Sequence, residues 1–267
     1  MRRKSLVLAI LGLTIIGGVL MKKAATPAVH SQNSLHPDYQ LLVLSLQGDT
    51  ALVRLLLSQG ADPNTPPGPQ DKGMTALMFA TWKGHDEISR ALANAGANVN
   101  ISGDNGSSPL MYAAARGNVP MVNFLLARGA NPNFRRSDGK TAVMFAALNG
   151  RLEVVRKLIA VTDRTLLNSM RFRGGDSLVH YAVKKGNPAL LNAILSTNID
   201  LEIRDSTGQT ALMYASRNGQ TQMVSKLLQK GANVNARDSR GVTSLTKAVI
   251  GNRIAVLQVL RAHRARS

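Results

Sequence analysis

The chain has 267 residues, of which 44% are hydrophobic and only 4% aromatic, which suits a stack of small layers better than one round core. It has no cysteine, and this excludes disulfides, thiolate metal sites and cysteine nucleophiles. Its formal charge is +18, but the charge is unevenly spread: residues 1–37 carry +5, residues 38–133 carry −1 and residues 134–267 carry +14. The basic character of the second half therefore needs its own explanation.

The N-terminal segment has a basic start, an apolar middle and a basic end. Residues 2–4 are all basic, residues 5–21 carry no charge, and two lysines follow directly at 22 and 23. As a helix, the apolar run would measure about 25 Å, at the short edge of what spans a bilayer. Residues 1–23 are consistent with an uncleaved signal anchor or with a cleaved signal peptide. We favour the anchor, because a cleavage region usually consists of small neutral residues, whereas here two lysines directly follow the apolar run.

The basic excess before the apolar run predicts that the N-terminus stays in the cytoplasm. The rest of the chain would then lie in the periplasm, tethered to a bacterial inner membrane through residues 5–21. Cleavage would instead leave a periplasmic or secreted protein. Residues 24–37 are rich in Ala, Pro, Ser, Asn and His, a composition typical of a short linker.

Two series of glycines divide the remaining sequence into equal units. Both have spacings of 33 residues with a single interval of 36 at the same place, and they consist of Gly73, Gly106, Gly139, Gly175, Gly208 and Gly241, and of Gly84, Gly117, Gly150, Gly186 and Gly219. One short segment recurs between them, as TALMFA at 75–80, SPLMYA at 108–113, TAVMFA at 141–146, SLVHYA at 177–182 and TALMYA at 210–215. Another recurs as LLSQGADPN at 56–64, LLARGANPN at 125–133 and LLQKGANVN at 227–235.

Each unit predicts two short helices. The Thr or Ser that begins the first segment is a helix cap, and Gly84 and its equivalents suit the turn into a second, antiparallel helix. The second helix has apolar residues at helical spacing, ends in Gly-Ala, and is followed by an Asn able to bond neighbouring loop backbone. No single unit buries its own apolar face, so the core must come from stacking.

These segments resemble the TPLHxAA and LLxxGAxxN signatures of the ankyrin-repeat family. The resemblance implies an all-α solenoid of about seven helix-turn-helix repeats with short hairpin-like loops over residues 38–267, preceded by the N-terminal hydrophobic helix. The repeats would start near residues 38, 71, 104, 138, 174, 207 and 240. It also implies a curved stack whose loop tips and first helices form a concave binding face.

The chain departs from the family pattern at several positions. The family histidine survives only at His180 and is Met at Met78, Met111, Met144 and Met213, so its hydrogen bonds must be made otherwise or lost. The fourth repeat lacks the Gly-Ala turn and holds the three-residue insertion, and the fifth has Asn198 and Glu202 at the usual Gly and Asn positions. We expect the junction of repeats four and five to be the least regular. The loop over residues 65–70 is also three residues longer than its equivalents.

Three features are candidate contacts for a partner: an aromatic row, Trp82 and the basic loop tips. The row Phe79, Tyr112, Phe145, Tyr181 and Tyr214 is interpreted as packing between first helices rather than as an open groove. Trp82, the only tryptophan, is either a binding hot spot or a packing residue. The basic loop tips are either a solvated surface or a site for an acidic protein or anionic lipid. The candidate binding residues are Trp82, Lys83, Arg116, Arg135, Arg136, Arg171, Arg173, Lys184, Lys185, Arg204, Arg217, Arg237 and Arg240.

The sequence contains no nucleophile–base arrangement, phosphate-binding loop or metal-ligand spacing. We therefore expect a non-enzymatic protein-binding module, without cofactor, metal or small-molecule substrate. It would be exported and membrane-tethered, with a protein partner that is acidic if the arginines bind it. The alternatives are an inhibitor or immunity-type factor for an enzyme and an organiser of an anionic membrane surface. The absence of a nucleic-acid motif disfavours DNA or RNA.

Overall fold

A computed structural model describes residues 36–68 and 71–265. Within these ranges the chain forms fifteen α-helices and one 3-10 turn, and the only β-type pairing is a single bridge between Arg237 and Thr243. The helices come in seven consecutive pairs, one to each predicted repeat, with one extra helix in the fourth. The predicted all-α stack of helix-turn-helix repeats is confirmed.

The helices are short, and each repeat has a first and a second helix. In repeats one to four the pairs are α1 (Pro37–Gln47) and α2 (Thr50–Ser58), α3 (Ala76–Lys83) and α4 (Asp86–Asn94), α5 (Pro109–Arg116) and α6 (Val119–Ala127), and α7 (Ala142–Leu148) and α8 (Leu152–Ile159). The extra helix α9 spans Arg164–Ser169 and a 3-10 turn spans Arg173–Gly175. The last three pairs are α10 (Leu178–Lys184) and α11 (Pro188–Ile194), α12 (Ala211–Arg217) and α13 (Thr221–Gln229), and α14 (Ser244–Ile250) and α15 (Ile254–Ala262).

The predicted N-terminal hydrophobic helix, residues 5–21, lies outside the described residues, as do nearly all of the linker and residues 69 and 70 of the long loop. Among the helices of the described ranges, none combines the length and the apolar character needed to cross a bilayer.

Hydroxyl side chains cap the first helices as predicted. The Thr or Ser before the helix accepts a hydrogen bond from the backbone N–H three residues on, at 3.3–3.5 Å, in Thr75, Ser108, Thr141, Ser177 and Thr243. Thr210 is the exception, because its side chain makes no cap bond to α12. These caps fix where each first helix begins.

Gly84 shows why the turn between the two helices needs glycine. Its φ is +86°, a left-handed conformation that strains other residues. A Cβ there would also lie 2.3 Å from Nη2 of Arg116 in the next repeat. The turn is therefore fixed by local backbone geometry and by packing between repeats.

The core runs through the whole stack and is built from the inward sides of both helix sets. Leu77, Leu110, Val143, Val179 and Leu212, which occupy one equivalent position, are all at most 1% exposed. In the second helices, Val122, Val155, Leu191 and Val224 occupy one equivalent position and are also at most 1% exposed. Since every repeat leaves these faces for its neighbours to cover, burial depends on stacking.

Asparagines after the Gly-Ala turns join consecutive repeats. Asn64 donates to the carbonyl of Gly96 (3.0 Å) and accepts from the backbone N–H of Asn98 (2.7 Å). Asn100 makes the same pair of bonds one repeat later. Where the pattern departs, other acceptors take over the bond to the next repeat, at 2.8–3.0 Å: Asn168 to Asp200 and Glu202 to Asn233. The prediction that these asparagines bond neighbouring loops is confirmed.

The junction between repeats four and five differs from the others. Neighbouring first helices pack directly on one another throughout the described stack except here, where contact runs instead through the second helices α8 and α11. The helix α9 stands where other repeats have the Gly-Ala turn. Met170 follows α9 directly and is fully buried. Its sulfur accepts from the hydroxyl of Thr141 (3.6 Å). This junction is irregular, as expected.

His180 keeps the hydrogen bonds of the family histidine. Its Nε2 bonds the carbonyl of Gln209 in the next tip (2.9 Å), while its Nδ1 contacts the hydroxyl of Ser177 (2.8 Å). Gln209 also accepts from the backbone N–H of Asp205 (3.0 Å). The equivalent carbonyls after the methionine repeats keep that backbone bond, at 2.8–3.2 Å, in Ser107, Lys140, Asp176 and Val242. The methionine repeats therefore lose the imidazole bond but leave no bare carbonyl.

Candidate protein-binding site

The hairpin-like loop before each first helix is here called the tip. In the four basic repeats the tips comprise residues 135–141, 171–177, 204–210 and 237–243. Each tip contains an aspartate: Asp138, Asp176, Asp205 and Asp238. All four carboxylates have partners within the protein, either in the tip itself or in the first helix that follows it.

The carboxylates of the last two tips bind their own loops. Asp205 Oδ1 accepts from the backbone N–H groups of Thr207 (2.8 Å) and Gln209 (2.9 Å), and Asp238 Oδ1 does the same within its own tip. Partial burial opposes ionisation of Asp205, but these hydrogen bonds outweigh it and lower its pKa. For Asp238, burial is likewise outweighed by the ammonium of Lys247, 2.8 Å away, and by backbone bonds, so that its pKa is also lowered.

Four arginines occupy one equivalent position in these tips. Arg135, Arg171, Arg204 and Arg237, here called the arginine column, each lie six residues before the capping Thr or Ser, at intervals of 36, 33 and 33 residues. All four are exposed. Their guanidinium groups donate to neutral oxygens: Arg135 to the Ser169 hydroxyl, Arg171 to the carbonyls of Asn168 and Met170, Arg204 to those of Gly208 and Arg237, and Arg237 to that of Gly241.

Three other predicted binding residues are engaged inside the stack. Arg116 donates to the carbonyl of Trp82 in the preceding repeat (2.9 Å). Arg136 pairs with Asp138 (3.2 Å) and is only partly exposed. Lys184 pairs with Asp176 (2.6 Å), and its ammonium lies 4.0 Å from the centre of the Tyr214 ring. Burial opposes the charge of Lys184, but these two partners prevail and raise its pKa. These residues help hold the repeats in place.

The remaining predicted cations face solvent. Arg173, Lys185, Arg217 and Arg240 are all exposed, and they lie on the tips or at the ends of first helices in repeats five to seven. The ammonium of Lys185 lies 5.7 Å from the centre of the Tyr181 ring. They add positive charge to the tips and first helices of these repeats.

The predicted aromatic row is half-buried, and it contacts the tips. Tyr214 donates to Asp205 of its own tip (3.0 Å), and Tyr181 stacks on Phe172 of its tip with ring centres 4.5 Å apart. The Phe145 ring lies 6.0 Å from the guanidinium of Arg136. Phe79, Phe145, Tyr181 and Tyr214 also pack against the core. The row therefore does structural packing, and each residue of it remains partly exposed.

Trp82 and Lys83 lie at the opposite end of the stack from most of the basic tips. Trp82 is 45% exposed, and the ammonium of Lys83 lies 4.5 Å from its ring centre. Leu148 and Ile250 hold the equivalent position in later repeats and are also exposed, at 43% and 68%. The outward position of Trp82 suits a contact residue, and the sequence predictions did not include these two apolar equivalents among the binding residues.

The sequence predictions named all four arginines but did not include their common register. The signal was present, since their intervals repeat those of the two glycine series. The described residues contain no group of three or more His, Cys, Asp or Glu side chains able to hold a metal ion.

Comparison with known proteins agrees with this geometry. The family model for ankyrin repeats in three copies matches residues 27–103, 96–170 and 179–266, most of the chain. The chain belongs to the ankyrin-repeat family. Ankyrin repeats are protein–protein interaction modules, and the fold is typically that of a non-enzymatic binding domain.

Solved ankyrin-repeat structures share the fold. The ankyrin-repeat domain of Bcl-3, described as a unique member of the IkappaB family, aligns with a TM-score of 0.70 and 22% identity, over 83% of this chain and 97% of that one. The human ASB11 ankyrin-repeat domain aligns with a TM-score of 0.66 and 22% identity, over 85% and 98%. No curated protein sequence matches this ankyrin-repeat chain significantly. At these identities the likeness extends to the fold alone.

Proposed function

We propose that this ankyrin-repeat protein captures an acidic protein partner on the tips and first helices of repeats four to seven. The observation that carries this proposal is an imbalance of charge on the tips. The tip aspartates are occupied by local N–H groups and lysines, whereas Arg135, Arg171 and Arg204 make no ion pair with a carboxylate of the described residues. Their positive charge is therefore available to carboxylates of a partner.

The arrangement favours an interface over simple solubility. A solvated surface needs scattered charges of both signs. Here the four exposed arginines of the column hold one equivalent position in the tips, and half-buried aromatic rings of the first helices contact the same tips. Arg, Tyr and Trp are the side chains most enriched in binding hot spots.

Reversing the charge of the tips tests the proposal. The change of Arg135, Arg136, Arg171 and Arg173 to Glu should abolish partner capture, because it replaces attraction with repulsion across the interface. The partner is first identified by crosslinking in cells and mass spectrometry, and its binding to the purified variant is then measured by pulldown at low and high salt.

A matched control places the same four reversals on the other face. Lys157, Lys226, Lys230 and Arg261 are exposed and lie on or beside second helices. Their change to Glu alters the net charge equally and should leave capture intact. Circular dichroism confirms that both variants fold. Equal capture by the tip variant and the wild type would reject this face as the binding site.

We also propose that the protein is exported and held at a membrane through residues 5–21, with the repeats in the periplasm. The support is the apolar run bounded by basic residues. Fractionation tests this, since a tethered protein stays with membranes after a carbonate wash and a cleaved one does not. A protein found in the cytosolic fraction would remove the proposal.

A further inference from the structure

Three exposed aliphatic side chains lie at the turn between the two helices of the last repeat. Val249 and Ile250 end α14, and Ile254 begins α15; they are 58%, 68% and 65% exposed. These three residues, which lie within six positions of the chain, are here called the terminal patch. Single exposed aliphatic side chains are ordinary, but a group of them marks a surface that contacts a partner or a membrane.

The other repeats do not have this patch. The residues at the Val249 position in the preceding repeats are at most 4% exposed: Thr81, Ala114, Ala147, Val183 and Ser216. At the Ile250 and Ile254 positions, repeat six has Arg217 and Thr221. The outermost repeat of a solenoid usually has a polar outer face. The last repeat instead has aliphatic side chains where its neighbour has polar or buried ones.

The charge near the terminal patch is entirely positive. Residues 239–265 include five Lys or Arg and no Asp or Glu. Arg253 lies inside the turn, and Arg261 follows Ile254 by seven residues, which places it on the same face of α15 about 10.5 Å along the axis. Arg261 and Arg264 are exposed and make no ion pair with a carboxylate of the described residues. The patch therefore suits an anionic surface.

This charge argues against a second copy of the chain as the occupant. Two terminal patches placed face to face would bring Arg253 and Arg261 of both copies together without carboxylates to compensate them. The patch is also small, since a stable protein interface takes about 20–30 residues from each side.

The residue types favour a lipid surface over a protein. Residues 239–265 contain no Trp, Tyr or Phe, although Trp and Tyr are enriched in the hot spots of protein interfaces. At a membrane surface, aliphatic side chains enter the boundary between headgroups and acyl chains, and basic side chains stay with anionic headgroups. The planar guanidinium of arginine suits phosphate in particular.

We infer that the last repeat docks on an anionic lipid bilayer, with Val249, Ile250 and Ile254 entering the headgroup region. Arg253, Arg261 and Arg264 contact the lipid phosphates. This site is separate from the tips that carry the proposed protein partner, and it does not require attachment through residues 5–21.

Site-specific labelling of the full chain tests the inference, because the protein has no cysteine of its own. Ile254→Cys gives one thiol in the terminal patch for a fluorophore that responds to polarity. Leu55→Cys, at an exposed apolar position of α2, is the matched control. A label reports only on its own site, so attachment through residues 5–21 alone would leave both labels in water.

The labelled proteins are mixed with vesicles of phosphatidylcholine that contain about one third phosphatidylglycerol. We expect the emission at position 254 to move to shorter wavelength and to gain about twofold in intensity, because the side chain enters an apolar region. The label at position 55 should not change. Vesicles of phosphatidylcholine alone should change neither label.

A pair of charge variants checks the role of the arginines. Arg261→Gln together with Arg264→Gln should raise the concentration of anionic lipid at half-maximal shift about tenfold. Lys226→Gln together with Lys230→Gln removes the same charge on and beside α13 and should leave that concentration unchanged. Circular dichroism confirms that all variants fold.

Four results would overturn the inference. One is an unchanged label at position 254 with anionic vesicles, and another is an equal change at position 55. Short-wavelength emission before vesicles are added would show that a second copy covers the patch if it depends on protein concentration, and that this chain covers it if it does not. A larger shift with polyglutamate than with vesicles would assign the patch to an acidic protein. Failure of lipid docking would leave the proposed capture of a protein by the tips untouched.

Discussion

His180 illustrates how one residue can give the stack a dependence on pH. Its ring is fully buried between the hydroxyl of Ser177 and the next tip. Burial is the main cause of its lowered pKa, and the bond to the carbonyl of Gln209 only partly offsets it. The imidazole is therefore neutral at pH 7. Methionine holds this position in the other well-marked repeats, so a methionine at position 180 should fit the fold of the repeat.

We predict that wild-type stability falls as the pH drops below about 6.5, the ordinary pKa of histidine. The unfolded chain binds the proton first, because the folded-state pKa is lower, so the contribution of His180 is present above pH 6.5 and lost as the pH falls through the folded value. His180→Met should remove this part of the loss. Urea unfolding between about pH 7.5 and pH 5 measures it, and parallel curves for the two proteins would contradict it.

At the scale of the helices, the first helices of the last two repeats each bury a serine hydroxyl without a hydrogen-bond partner. Ser216 in α12 and Ser244 in α14 are fully buried, and their hydroxyls have no hydrogen-bond partner. Alanine holds the equivalent position in several other repeats: Ala114 and Ala147 for the first, and Ala76, Ala142 and Ala211 for the second. Burial of a hydroxyl without a hydrogen bond is unfavourable, so each of these two serines lowers the stability of the stack.

We predict that Ser216→Ala and Ser244→Ala each raise the free energy of unfolding, by about 1 kcal/mol. Each change removes a buried unsatisfied group and keeps the small volume that close helix packing requires. Urea denaturation measures the effect. Ser206→Ala, at an exposed tip position, is the control and should change little. A loss of stability in either buried variant would mean that its hydroxyl has a bonded partner.

At the scale of the whole molecule, the junction of repeats four and five divides a regular stack into two parts. Contact there runs through second helices and through Met170, since the first helices α7 and α10 do not pack closely. In solenoids, stability is a sum of repeat and interface terms, so a weaker interface can uncouple the two sides. The arginine column crosses this junction between Arg135 and Arg171.

We predict that Met170→Ala costs about 2–5 kcal/mol and also lowers the slope of unfolding with urea, because the two halves then unfold separately. Met121→Ala, at a fully buried position inside the regular stack, is the matched control. It should lose similar stability with an unchanged slope. Equal slopes in the two variants would show that the junction couples the halves as firmly as any other.

Much of this architecture was predictable because glycine spacing, hydroxyl caps and Gly-Ala turns are local signals that recur. The use of several charged side chains was not, because it depends on groups about one repeat away. Arg116 bonds Trp82, and Lys184 lies over Tyr214, contacts that no local pattern announces. In the fourth repeat, α9 replaces a turn, since Thr162 to Ser169 carry no glycine to end the segment.

The repeats touch only their immediate neighbours: every pair of helices in extensive contact belongs to one repeat or to two adjacent ones. Under mechanical tension, such a molecule has no distant contact that must break first. It would lengthen in steps, each releasing a single repeat of 33 residues or about 110 Å of extended chain. When the tension is removed, we expect the unfolded repeat to refold against the repeats that stayed folded.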